Sequence, residues 1–164
     1  MILEAKGEGD VSVGELEVKF YENVEDDLIK FVVIVCRYSN KWLWVKHKER
    51  DTFEIPGGHR EPGESVIHAA VRELQEETGA IEFEVEPILA YSVTGKTRVS
   101  AHGGETFGML YFADIKELGE IHSEIEKYEL FDNIPKRLTY PQIQPHLFNY
   151  IEKSGELQKY EKRN

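Results

Sequence analysis

The sequence predicts an α+β fold of the broad α/β class, a mixed β-sheet sandwiched between α-helices. Three observations predict it: a run of short segments rich in branched and aromatic residues, one segment with helical apolar spacing in mid-chain, and another near the end. At 164 residues and 40% hydrophobic content, the chain fits one compact domain over 1–164, since single domains commonly run about 100–150 residues. Glycines and prolines are scattered as turn markers and do not gather into a linker, which supports the single domain.

The first strand is expected over 15–21 and the second over 31–37, a run apolar enough for burial on both faces. Ser39-Asn40-Lys41 reads as a hairpin turn into 42–46, Trp-Leu-Trp-Val-Lys. Phe53-Glu54-Ile55 follows, and Pro56-Gly57-Gly58 stops regular structure. A helix is expected over 64–78, with Ile67, Ala70, Val71 and Leu74 as its apolar stripe and Gly79 as its stop. Strands return at 81–85, 88–93, 107–115 and 127–131. Pro141 is read as opening a C-terminal helix over 141–153, with Ile143, Leu147 and Ile151 facing the core.

Charge and cysteine content narrow the function classes. A formal net charge of −11 repels polyanions, so duplex nucleic acid is not an expected partner. Nothing approaches the roughly 18 uninterrupted apolar residues of a membrane span, and the acidic start does not resemble a secretory signal, so a soluble cytoplasmic protein without membrane contact is expected. Cys36, the single cysteine, lies in an apolar strand and reads as a small buried hydrophobe.

The chemistry concentrates at 58–80. Glu73, Glu76 and Glu77 are related by steps of three and four residues, so on a helix they fall within about 100° of arc. Like charges at that spacing, near the negative end of the helix dipole, oppose helix stability by a few tenths of a kcal/mol each. Hard carboxylate oxygens at such density suit Mg²⁺ or Mn²⁺, although a three-glutamate face by itself is also ordinary solvated surface. The preceding Pro56-Gly57-Gly58 permits close backbone approach to a metal or phosphate, or simply forms a turn. Glu64 sits near the helix start, where a carboxylate caps free N–H groups, and Arg72 can reach Glu76 one turn on.

Gly58, five residues, Glu64, seven residues, Arg72-Glu73-Leu74, one residue, Glu76-Glu77, one residue, Gly79 resembles the Nudix box, with Ala80 a weak match at its closing hydrophobic position. The segment is similar to MutT-like members of that family. The resemblance implies a Nudix fold and a Mg²⁺-dependent (or Mn²⁺-dependent) hydrolase of diphosphate linkages. The substrate it implies is a nucleoside triphosphate or oxidised dNTP such as 8-oxo-dGTP, cleaved to the monophosphate and pyrophosphate by water attack at phosphorus. It further implies Glu73, Glu76 and Glu77 as metal ligands, the Gly57 backbone as an additional one, and Glu64 and Arg72 as support. The general base falls to Glu76 or Glu77 in the box, or to Glu124 or Glu126 beyond it, with Glu126 ranked ahead of Glu124. A homodimer is a further expectation from the family.

Other residues stay open between two roles. Lys46, His47, Lys48, Arg50, Lys96 and Arg98 contact phosphate or are solvated charge; Trp42, Trp44, Tyr91 and Phe107 stack on a base or fill the core. His59, His68 and His102 are assigned to surface or packing. RNA 5′-end pyrophosphohydrolase, nucleotide-sugar diphosphatase and noncatalytic nucleotide sensor are the alternatives.

Overall fold

The computed structural model describes residues 5–13, 16–96 and 102–155. Among them, one eight-stranded sheet runs in the order β1-β2-β6-β7-β3-β4-β8: β1 Ala5–Val13, β2 Leu16–Tyr21, β3 Ile29–Tyr38, β4 Lys41–His47, β6 Ala80–Thr94, β7 Glu105–Leu118 and β8 Ile125–Phe131. The short β5, Gly57–His59, pairs off this path with β3. The sheet is mixed because β3 and β7 are parallel while their other pairings are antiparallel.

Residues of β3 alternate between the two faces. Val33 and Val35 join Trp42, Trp44, Leu110 and Phe112 under helix α2, Gln144–Lys153, which contributes Leu147, Phe148 and Ile151. Val32, Ile34 and Cys36 join Leu43, Val45, Tyr111 and Ala113 under helix α1, Val66–Thr78. The sheet is therefore the filling between the two helices. Each fully buried aliphatic or phenyl side chain contributes about 1.5–3 kcal/mol to holding these layers together.

Several expectations are revised. β1 is not among the expected strands, and 81–85 and 88–93 are one continuous strand whose register shifts beside Pro87. Ile67 is 45% exposed, so the apolar stripe of α1 is Val66, Ala69, Ala70 and Leu74. Two alanines in that stripe let the helix lie close to the sheet. The C-terminal helix starts at Gln144, after a turn in which Tyr140 O accepts from the N–H groups of Ile143 and Gln144; Pro145, not Pro141, occupies its first turn. Residue 15 of the first expected strand lies outside the described residues.

The ends of α1 are set by two residues. Ser65 Oγ accepts from His68 N at 3.2 Å, and Gly79 closes the helix at φ 77°, its N–H donating to Gln75 O. A Cβ on Gly79 would stand 2.6 Å from Gly119 O and 2.8 Å from Glu120 O. Gly79→Ala therefore combines a left-handed backbone with a clash against main chain. The expected loss is about 2–4 kcal/mol, read as a lower urea midpoint with an unchanged slope.

Ser39 and Asn40, at φ 54° and 61°, form the two-residue turn from β3 to β4. That hairpin carries β4 to His47 and fixes where the chain re-enters toward β5. Val45 and Glu54 exchange backbone hydrogen bonds of 2.9 Å in both directions, and β5 is held by the pairs Val33–Gly57 and Val32–Gly58.

Candidate active site

Helix α1 and β5 bring the box residues together. Arg72 is the hub. Its Nε and Nη2 grip the two oxygens of Glu64 at 2.7 and 3.0 Å, Nη1 reaches Glu73 at 3.1 Å and Glu76 at 3.3 Å, and Nη2 also donates to His59 O at 3.0 Å. The fork geometry is what a guanidinium supplies and an ammonium does not. Its pKa is raised above the ordinary value, first by the Glu64 hydrogen bonds.

Glu64 does not cap α1; Ser65 does. Its carboxylate is 5% exposed and accepts from Arg72, from Glu61 N at 2.9 Å, and meets His68 Nδ1 at 2.8 Å. The Arg72 bonds, with those from Glu61 and His68, lower its pKa to about 2. Glu64 is thus a fixed anion that anchors Arg72.

Glu73 and Glu77 behave oppositely. Burial raises Glu73 to about 7, with Glu76 and Glu124 adding to the shift against the pull of Arg72. Burial likewise raises Glu77 to about 8, against the Gly57 N–H that donates to Oε1 at 3.0 Å, with Glu73, Glu54 and Glu124 adding to it. Glu76 is half exposed.

In the unfolded chain both acids ionise near 4.5, whereas in the folded protein they hold protons to about 7 and 8. The folded state thus binds more protons through that window, and its stability falls as pH rises from about 5 to about 8. Thermal midpoints measured in chelator are expected to decline across that range; a flat profile would contradict the assignment.

The two glycines matter sterically. A Cβ on Gly58 would stand 2.0 Å from Glu73 Oε2, so the Glu73 carboxylate occupies the space a side chain would take; a Cβ on Gly57 would stand 2.3 Å from Val32 O. Beyond the box, Glu126 is not brought to the acids. It is 49% exposed and ion-paired with Lys46, which lowers its pKa. Glu124, by contrast, acts electrostatically on both Glu73 and Glu77.

On the other side of β5 lies a cleft of about 550 Å³, bordered by Gly57 and Gly58, with Phe31, Tyr91, Tyr140, Ile143 and Gln144 among the residues of its wall. Gln144 is buried, and its Oε1 accepts from Ile55 N at 2.8 Å. Of the aromatic residues considered for base stacking, Tyr91 alone lines this cleft. Trp42 and Trp44 pack on Phe148 at centroid distances of 4.8 and 5.8 Å, and Phe107 packs on Tyr21. Of the basic candidates, Lys96 lines the cleft, Arg50 pairs with Glu54, His47 lies between Glu54 and Glu77, and Arg98 falls outside the described residues. Sequence reasoning missed Phe31, Glu54, Tyr140 and Gln144. The signal available was Glu54, an acid set between Phe53 and Ile55 just before Pro56.

The sequence profile described as NUDIX domain matches residues 28–150, most of the chain. The chain belongs to the Nudix family. As a Nudix hydrolase it acts on diphosphate linkages, and its sheet with two helices is the fold of its Nudix structural neighbours. A Bacillus subtilis protein bearing the name 8-oxo-dGTP diphosphatase YtkD is 34% identical over 126 residues, 76% of this chain and 75% of its own length. The ADP-ribose pyrophosphatase of Methanocaldococcus jannaschii is 32% identical over 109 residues, 62% of each chain. The crystal structure of a point mutant of the Bacillus subtilis pyrophosphohydrolase BsRppH superposes with a TM-score of 0.68 at 28% identity, covering 85% of this chain and 92% of that one. No helix among the described residues is long and apolar enough to cross a membrane.

Proposed function

We propose that this Nudix hydrolase converts a nucleoside triphosphate, oxidised dNTPs included, to the monophosphate and pyrophosphate with Mg²⁺ or Mn²⁺. One observation carries the reading: the cleft and the acid cluster share the backbone of Gly57 and Gly58, so a nucleoside seated against Phe31 and Tyr140 delivers its phosphates to the helix face bearing Glu73, Glu76 and Glu77. The name borne by the Bacillus subtilis relative supports the same substrate class.

The donor set fits a divalent cation. Burial first, and then Glu124 beside both Glu73 and Glu77, with Glu73 also acting on Glu77, raises the proton affinity of these two acids, which marks an excess of negative charge that Arg72 alone does not offset. Among the described residues no three acidic, histidine or cysteine side chains are arranged so as to hold a metal ion. Glu76, half exposed and touched by Arg72 at 3.3 Å, is taken in this reading to turn toward Glu73 and Glu77 when the cation binds. These three, with the Gly57 carbonyl, are the ligands in this reading. A divalent cation held by these residues would supply neutralisation of the diphosphate charge and a more acidic water as nucleophile.

The chain's own residues do the rest. Arg72, held by the ionised Glu64, keeps Glu73 and Glu76 on one side of α1. Glu64 is the anchor of that arrangement. As the acceptor of the water proton, Glu124 is placed ahead of Glu126, because Lys46 occupies Glu126 while Glu124 lies within electrostatic reach of the box acids. Glu76 and Glu77 are the acceptors within the box. The protein is read as cytoplasmic, with a homodimer as the expected assembly.

Phosphate and pyrophosphate release should be measured with Mg²⁺ over a panel of dNTPs, oxidised dNTPs, ADP-ribose and triphosphorylated RNA. Pyrophosphate release from a dNTP or an oxidised dNTP supports the reading. Preferential cleavage of ADP-ribose or of RNA ends replaces it with the nucleotide-sugar or RNA reading, and binding without cleavage replaces it with the sensor reading.

A further inference from the structure

We propose that His47 and Glu54 are positioning residues for Glu77, connected through Arg50 to the Tyr140 wall of the cleft. The inference rests on the reading of Glu77 as a cation ligand.

Each oxygen of Glu77 has its own neighbour. Oε1 accepts from Gly57 N–H at 3.0 Å, and Oε2 faces His47 Nε2 at 3.8 Å. The same ring nitrogen lies 3.3 Å from Glu54 Oε2, while Glu54 Oε1 accepts from Arg50 Nη1 at 2.9 Å. Arg50 in turn neighbours the Tyr140 hydroxyl, and both Tyr140 and Glu54 line the cleft. These groups therefore stand in line from the substrate wall to the carboxylate on α1, the last step from His47 to Glu77 being an approach of 3.8 Å and not a hydrogen bond.

Packing alone does not explain Glu54. Its side chain is 10% exposed and is flanked by Phe53 and the core residue Ile55, where an apolar residue would be cheaper to bury than a carboxylate. Its position is rigid, because the two backbone hydrogen bonds to Val45 clamp it two residues from His47 on the neighbouring strand. Glu77 is as deeply buried, with a side chain 5% exposed. Water does not orient a carboxylate there, so its rotamer is set by the groups that touch it. Groups behind a metal ligand commonly govern how well the ligand binds.

Mn²⁺ binding without nucleotide, followed by electron paramagnetic resonance of the free ion, tests this on the full chain with His47→Ala, His47→Gln and Glu54→Gln. Turnover and thermal midpoints are measured beside it. His47→Ala and Glu54→Gln are expected to weaken Mn²⁺ binding by about 10- to 100-fold. Their kcat should fall in parallel, with KM for the nucleotide changed less than about threefold. His47→Gln, whose amide places a donor near the original Nε2, is expected to recover most of both.

Wild-type Mn²⁺ affinity and kcat in His47→Ala would overturn the proposal. Equal impairment of folded His47→Ala and His47→Gln would do the same. If His47→Ala does not fold, Glu54→Gln decides, and an unchanged affinity there sinks the idea. Should the wild type bind Mn²⁺ yet cleave no nucleotide offered, the substrate reading fails while the Mn²⁺ comparison still decides this one. A wild type that binds no Mn²⁺ overturns the inference.

Discussion

Glu77→Gln is expected to lower kcat/KM by about 10²–10⁴-fold while leaving the fold as stable as before near pH 5 and increasingly more stable from there to about pH 8, above which the gain levels off. The amide keeps the oxygen that accepts from Gly57 N–H, so the packing of α1 on β5 is retained. What is lost is a carboxylate whose ionisation in a buried site opposes folding, as its elevated pKa of about 8 records. Activity and stability therefore move in different directions. Steady-state kinetics and thermal midpoints at pH 7 and 9 check both. A large fall in midpoint together with the loss of turnover would instead make Glu77 a structural residue.

Gly58→Ala should be the second severe variant, and it separates two kinds of glycine. Its new Cβ meets the Glu73 carboxylate, which ends a flexible side chain and can swing aside, so the thermal midpoint is expected to change by no more than a few degrees. The displaced carboxylate leaves the acid face, so turnover is expected to fall by about 10²-fold or more. At Gly57 the obstruction is Val32 O, part of the β3 main chain, which cannot move without breaking the β3–β5 pair. Gly57→Ala is therefore expected to cost stability, about 1–3 kcal/mol. Urea melts and kinetics on both variants give the comparison. Equal destabilisation would show that Gly58 is needed for packing alone.

The parts of this molecule that are legible from sequence are those governed by local spacing. Helix α1 can be read because its stop at Gly79 and the interval between Glu64, Arg72 and Glu73 are local facts. The β3–β4 hairpin is similarly visible, since Ser39 and Asn40 tolerate positive φ between two apolar runs. The stripe on α1 keeps Ala70 and Leu74 of the expected set but has Val66 and Ala69 in place of Ile67 and Val71: both pairs satisfy helical spacing, and only the close approach allowed by Ala69 and Ala70 decides between them. β1 is invisible because Ala-Lys-Gly-Glu-Gly-Asp has no apolar alternation, and its strand state comes from pairing with β2. The substrate wall is equally hidden. Phe31, Tyr140 and Gln144 are more than a hundred residues apart at the extremes, and only the docking of the chain before α2 against Phe53 and Ile55 brings them together. Glu124 and Glu126 become separable only through Lys46, which occupies one of them from across the β4–β8 pair.

The shared wall at β5 has a consequence for how such an enzyme can diversify. Its two contact residues, Gly57 and Gly58, contribute no side chain to either neighbour, so the acid cluster on α1 and the neighbouring cleft are built from almost separate sets of side chains, Glu54 being an exception. In the proposed reading, replacing Phe31 or Ile143 alters what the cleft accepts without touching Glu73, Glu76 or Glu77. New substrate preferences are then reachable by single mutations that keep bond cleavage intact, so one hydrolytic apparatus can be passed among many leaving groups over evolutionary time.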